Sequence, residues 1–130
     1  MIRAKEYVCA RLAASAPLVA YLGSASRILF GYPNSFETMP MVTYVEIDQS
    51  DADRADDGPF AFNVKIQLDV WVDSMVHGST TALSELVDAV MQAAGFSLDF
   101  SSDILDEDVR ILHRVMRYAT KLRADDIDGL

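Results

Sequence analysis

Residues 60–73 read FAFNVKIQLDVWVD, and the fold turns on this stretch. Phe60, Phe62, Val64, Ile66, Leu68, Val70 and Val72 take the even positions; Ala61, Asn63, Lys65, Gln67, Asp69, Trp71 and Asp73 take the odd ones. Successive side chains of a strand point to opposite faces of a sheet, so this alternation predicts a strand with one face on a core and the other largely wet. The run exceeds the roughly five or six residues of a typical strand, so it is expected to project beyond its sheet.

Immediately upstream, Val42, Thr43, Tyr44, Val45 and Ile47 form a β-branched and aromatic run that predicts a strand over 41–48. Pro40 sits at its start, where a missing N–H does least harm. Between the two strands, residues 48–58 read DQSDADRADDG, with five Asp, one Arg and almost nothing to bury. An exposed, mobile loop is expected there. Earlier still, 27–30 predicts a short strand and 31–35 a turn-rich loop. Ile2, Val8, Cys9 and Leu12 recur at helical spacing and predict a helix over 2–14. Pro17 opens a second short turn that Gly23 ends.

Downstream of the long strand, Leu83, Leu86, Val87, Val90, Met91 and Ala94 follow the i, i+3, i+4, i+7 series of an amphipathic helix. Ser79 or Thr80 is placed to cap it and Gly95 to end it. The stretch 109–122, VRILHRVMRYATKL, is ambiguous. Its periodicity favours a helix with Arg110, Arg114, Arg117 and Lys121 on one face, and as a strand it alternates poorly.

With 130 residues the chain is expected to form one domain over 1–130, since two ordinary domains need more. The composition, 51% apolar, is that of a globular chain. No apolar run approaches the ~20 residues of a membrane-spanning helix, so no membrane partner is expected. The charged N-terminal stretch argues against a signal peptide. One cysteine, Cys9, excludes an intramolecular disulfide.

The net charge of −9 is unevenly spread. Residues 46–57 carry six acids and one Arg, 99–108 carry five acids and no base, and 125–128 add three acids. Together these segments exceed the whole net charge, so the rest of the chain is mildly basic. That describes a subunit with acidic and basic patches rather than a uniformly repelling surface.

The chemistry-bearing residues give little support to catalysis. Two histidines and one cysteine do not make a typical structural zinc site. Asp51, Asp53, Asp56 and Asp57 approach a calcium loop, but Ala55 occupies the fifth position and the closing Glu is missing. These four acids read first as a solvated hairpin loop, or else as part of a ring of loops lining a channel, where carboxylates repel phosphate. No glycine-rich phosphate loop and no nucleophile motif is present. No enzymatic activity, cofactor or metal is therefore expected. Trp71 lies on the polar side of the long strand, and two readings stay open: a second layer of the same chain covers it, or a partner does.

Tyr32-Pro33, Ser35-Phe36, Met39-Pro40 and Tyr44-Val45-Glu46 resemble, in order, the tail-completion proteins of long-tailed bacteriophages and prophages, also called tail-terminator or tail-to-head joining proteins. Ile66 to Trp71, ending in Asp-Val-Trp, the helix 83–94, Gly95-Phe96 and His113 to Tyr118 resemble the family's later segments. The resemblance implies an α+β fold: a small, mostly antiparallel sheet with two main helices on one face and a long hairpin with an acidic loop. It implies that 97–105 and 110–122 form a β-hairpin, with 103–108 as its turn.

It also implies a structural virion protein, not an enzyme, that caps the head-proximal end of the tail tube, typically as a hexameric ring. Its partners would be further copies of itself, the tail tube protein and a head-completion protein. DNA would pass through without sequence-specific binding. The subunit would assemble in the host cytoplasm, be found at the tail–head interface of the virion, and could be monomeric in solution. Candidate interface or lumen residues are Asp51, Asp53, Asp56, Asp57, Trp71, Arg110, Arg114 and Arg117, with acidic loops of one subunit facing the basic final strand of the next. The alternatives are another head–tail neck component, a head-completion protein, or an acidic inhibitor that mimics DNA.

Overall fold

In a computed structural model, residues 1–127 are described. The order of elements is α1 (Ala4–Ala13), α2 (Ala16–Leu22), β1 (Ile28–Phe30), β2 (Met41–Ala55), β3 (Gly58–Asp73), α3 (Thr81–Ala93), β4 (Ser97–Leu105) and β5 (Ile111–Arg123). The five strands form one sheet in the order β1-β2-β3-β5-β4. Only the β1–β2 pair is parallel. This is the α+β arrangement expected from the sequence.

The alternation along β3 organises everything else. Phe62, Val64, Ile66, Leu68, Val70 and Val72 are all buried. They meet Ala4, Val8 and Leu12 of α1, Leu18 and Leu22 of α2, and Leu83, Val87 and Met91 of α3 in one core. Each of the Val, Leu, Ile, Phe and Met side chains among them contributes about 1.5–3 kcal/mol by leaving water. The helices therefore all cover one face of the sheet.

Local chemistry sets the helix ends. The Ser15 hydroxyl accepts from the Leu18 N–H, and Pro17 sits in the first turn of α2. At the end of α3, Gly95 takes φ +90°. Gly95 N–H then donates to the Gln92 carbonyl and Phe96 N–H to the Met91 carbonyl, a Schellman closure. Phe96 and Met91 are both buried, which supplies the apolar contact that accompanies this motif.

Two expectations need correction. Residues 48–55 are not a loop: β2 runs to Ala55 and pairs with β3 down to Gly58, leaving only Asp56 and Asp57 as the turn. Backbone pairing with the long β3 outweighs the poor strand propensity of Asp, and register shifts near Asp48 and Asp53 absorb the irregularity. The acidic segment is thus an ordered arm. Secondly, Asp103 lies within β4, so the β4–β5 turn begins after Leu105. The hairpin of 97–105 with 111–123 replaces the helix that periodicity alone favoured over 109–122. Of the acidic segment 125–128, Asp128 lies outside the described residues.

Candidate functional site

The second face of the sheet has its own small layer. Trp71 is 1% exposed. Tyr32 and Phe36, from the loop between β1 and β2, approach it with ring centroids 5.4 Å away. His113 of β5 stacks on it at 3.6 Å and 13°. Met41 and Ile111 complete the cluster. Of the two readings left open for Trp71, the structure shows the one in which its own chain covers it. The indole Nε1 donates to Thr43 Oγ1 at 3.0 Å, and both groups are buried, so neither is left unsatisfied.

A polar chain extends from this cluster across the sheet. Strand pairing brings His113 opposite Trp71 and Arg117 opposite Gln67. His113 Nε2 donates to Asp69 Oδ2 at 2.5 Å, Gln67 Nε2 to Asp69 Oδ1 at 2.9 Å, and Arg117 Nε to Gln67 Oε1 at 3.0 Å. The Arg117 guanidinium lies 5.4 Å from the centre of the Phe100 ring. Side chains from β2, β3, β5 and β4 are thereby locked to one another. An Asp–His pair invites comparison with a hydrolase dyad, yet the carboxylate is this imidazole's only side-chain hydrogen-bond partner among the described residues. The arrangement ties β3 to β5 through side chains as well as through the backbone ladder. Among the described residues there is also no group of three or more His, Cys, Asp or Glu side chains able to hold a metal ion.

The remaining candidates fall into two regions. Asp51, Asp53, Asp56 and Asp57 lie at the far end of the arm. Asp51 pairs with Arg54 at 2.8 Å, and Asp53 with Lys121 of β5. Asp56 and Asp57 form the exposed turn. At the opposite end of β3, Arg110 Nη2 donates to Asp73 Oδ2 at 2.6 Å. This hydrogen bond, with one from the Met75 N–H, holds the Asp73 carboxyl below its ordinary 3.8. Arg114 donates to Ser101 Oγ at 2.7 Å and to Asp103 Oδ1 at 3.1 Å. Arg110, Arg114, Arg117 and Lys121 are therefore all engaged within their own chain. Their registers also divide them: Arg114 pairs with Val70 on the helix-covered side, and Arg117 with Gln67 on the other. The eight candidates do not converge on one site.

Sequence reasoning passed over Asp69, Tyr32 and Phe36 as parts of a site. The one available signal was that Asp69 and Trp71 share the odd face of β3. Their partners lie 28 and 44 residues away and become visible only with the strand order.

The structure also leaves one sheet edge open. Strand β4 is exposed over most of its length, and Leu98, Phe100, Ile104 and Leu105 are between 42% and 96% exposed. At the opposite edge, Phe30 of β1 is 59% exposed and Tyr32 67%. Open edges with apolar side chains are what a subunit built for assembly presents.

Comparison with solved structures gives the same fold. One similar chain, from "Virion of native gene transfer agent (GTA) particle", superposes with a TM-score of 0.70 at 16% identity, covering 89% of this chain and 91% of that one. Another, from "Structure of bacteriophage SPP1 gp17 protein", gives 0.55 at 13% identity over 92% and 88%. No curated protein sequence matches the chain. The sequence model of the family described as "Tail completion protein gp17" matches residues 6–123, which takes in every helix but the first two residues of α1 and all five strands. The chain belongs to the tail completion protein gp17 family of structural phage tail proteins.

Proposed function

We propose that this protein caps the head-proximal end of a phage tail tube as a ring of identical subunits, typically six, and joins the tail to the head while leaving a passage for DNA. The observation that carries the reading is family membership across residues 6–123. The physical features agree with it. A terminator meets two different partners, the tail tube protein on one side and a head-completion protein on the other, so it needs distinct surfaces at its two ends. The acidic arm and the opposite end of β3 supply them. The tip acids Asp56 and Asp57, with Asp51 and Asp53 behind them, suit a lumen or axial contact. There, carboxylates keep DNA phosphates from adhering during passage. On this reading the protein acts without catalysis, forms one domain over 1–130, assembles in the host cytoplasm and ends in the virion between tail and head.

Deleting the gene tests the proposal. The expected result is filled heads and tails that accumulate separately, with tails of abnormal length. Joined, infectious particles from the deletion strain contradict it.

A further inference from the structure

The ring needs a contact that closes head to tail, because one that pairs the same patch on two copies stops at a dimer. Arg110, Arg114, Arg117 and Lys121, the cations that could have met a neighbour's acids, are taken within the chain. The two edges of the sheet offer a better-matched pair. Residues 97–108, which comprise β4 and the turn after it, carry five acids and no base. Residues 1–36, which comprise α1, α2 and β1, carry Arg3, Lys5, Arg11 and Arg27 against Glu6 alone; Lys5 and Arg27 lie at the β1 edge, while Arg11 lines a groove with Ala89 and Val90 of α3. No ion pair joins any of those four cations to an acid among the described residues. Lys5 Nζ lies 5.4 Å from the centre of the Phe30 ring, and Arg27 immediately precedes β1. The sheet thus has an acidic, apolar edge and a basic, aromatic edge, four strand spacings apart.

We propose that these edges are each other's partners: β4 of one copy docks along β1 and the adjoining side of α1 of the next. This rests on the ring reading above and deepens it by naming the subunit contact. Three observations support it. Both edges have unpaired backbone groups by their place in the sheet. Both expose large apolar side chains, Phe100 and Ile104 on one and Phe30 on the other. Their charges are opposite, while pairing β4 with a second β4 would bring the carboxylate of Asp99, unpaired among the described residues, against a like-charged edge. The free length of β2 beyond Tyr44 is a poor competitor, because it carries Glu46, Asp48, Asp51 and Asp53 and would set acid against acid. Since β1 spans only three residues, side chains and charge do most of the selecting.

Charge exchange tests this. Asp99 and Glu107 are exposed, and no side-chain hydrogen bond or ion pair in the chain depends on them among the described residues. The Asp99→Lys/Glu107→Lys variant has two basic edges; the Lys5→Glu/Arg27→Glu variant has two acidic ones. Each is first compared with the parent chain by circular dichroism melting, and the neutral Asp99→Asn/Glu107→Gln variant is carried alongside. All are then added to purified tails assembled without this protein, and tail-bound chain is quantified. The proposal expects at least tenfold less binding by either charge variant alone, an intermediate loss for the neutral variant, and recovery of parental binding when the two charge variants are mixed. Parental binding by either variant alone overturns the edge contact while leaving tail capping intact. So does a mixture of two folded variants that stays inactive. Failure of the parent chain itself to bind tails overturns the capping reading, and the edge contact with it.

Discussion

The buried hydrogen bond between Trp71 and Thr43 has a measurable energetic signature. Thr43 is 2% exposed and Trp71 1%, and their 3.0 Å contact joins β2 to β3. Thr43→Val keeps the shape but leaves the indole N–H buried and unpaired, which costs about 1–3 kcal/mol. Trp71→Phe removes the donor and some packed volume against Tyr32, Phe36 and His113. A cost of about 2 kcal/mol is expected, part unpaired hydroxyl and part cavity. In the double variant neither polar partner remains, so the penalty for unpaired groups disappears and only the packing loss persists. The double variant is therefore expected to lie about 1–2 kcal/mol below the sum of the single costs. Urea unfolding followed by far-ultraviolet circular dichroism measures all four chains without relying on the indole, the only one in the sequence. Additivity of the two single costs to within about 0.3 kcal/mol refutes the reasoning.

Other consequences follow from the same geometry. Tyr118 is fully buried and its hydroxyl donates to Asp88 Oδ1 at 2.7 Å; burial first, and the carboxylate second, push its pKa well up. Tyr118→Phe should cost about 1 kcal/mol in denaturant unfolding, and no loss would show that α3 is not tied to β5 through this bond. Gly95→Ala places a side chain at φ +90°, so a cost of about 1–2 kcal/mol is expected in thermal melting; an unchanged melting temperature contradicts the Schellman closure. The Asp73 carboxyl titrates below its ordinary 3.8 because of Arg110. Its contribution to stability is therefore present above that value and lost as pH falls through the folded value. Asp73→Asn should lower stability at neutral pH and flatten the acid side of the stability profile, and an unchanged acid slope counts against the pairing.

The parts of the fold that could be read from the residues were those with two unlike faces. In β3 the even positions meet the helices and most odd ones do not, so period two survives in the sequence. In β5 it does not survive. Ile111 and Val115 are buried on one side and Met116, Tyr118 and Leu122 on the other, while Arg114 and Arg117 point to opposite faces. Burial on both faces erases the alternation and leaves a spacing that mimics a helix. The resemblance to known tail proteins, not the periodicity, identified the hairpin. The arm was misread for a different reason. Its residues bury little, and what makes 48–55 a strand is hydrogen bonding to β3, which composition does not report. The lid over Trp71 comes from a loop some forty residues earlier. The alternation placed Trp71 on the second face, and only the strand order and loop path reveal that Tyr32, Phe36 and His113 enclose it.

The most direct measurement of the central claim is electron cryo-microscopy of tails incubated with the purified protein and of intact particles. The account predicts a closed ring of this chain at one end of the tail tube, the end that meets the head, with the β4 edge of each subunit against the β1 edge of the next. Density confined to heads, or distributed along the tube, contradicts it.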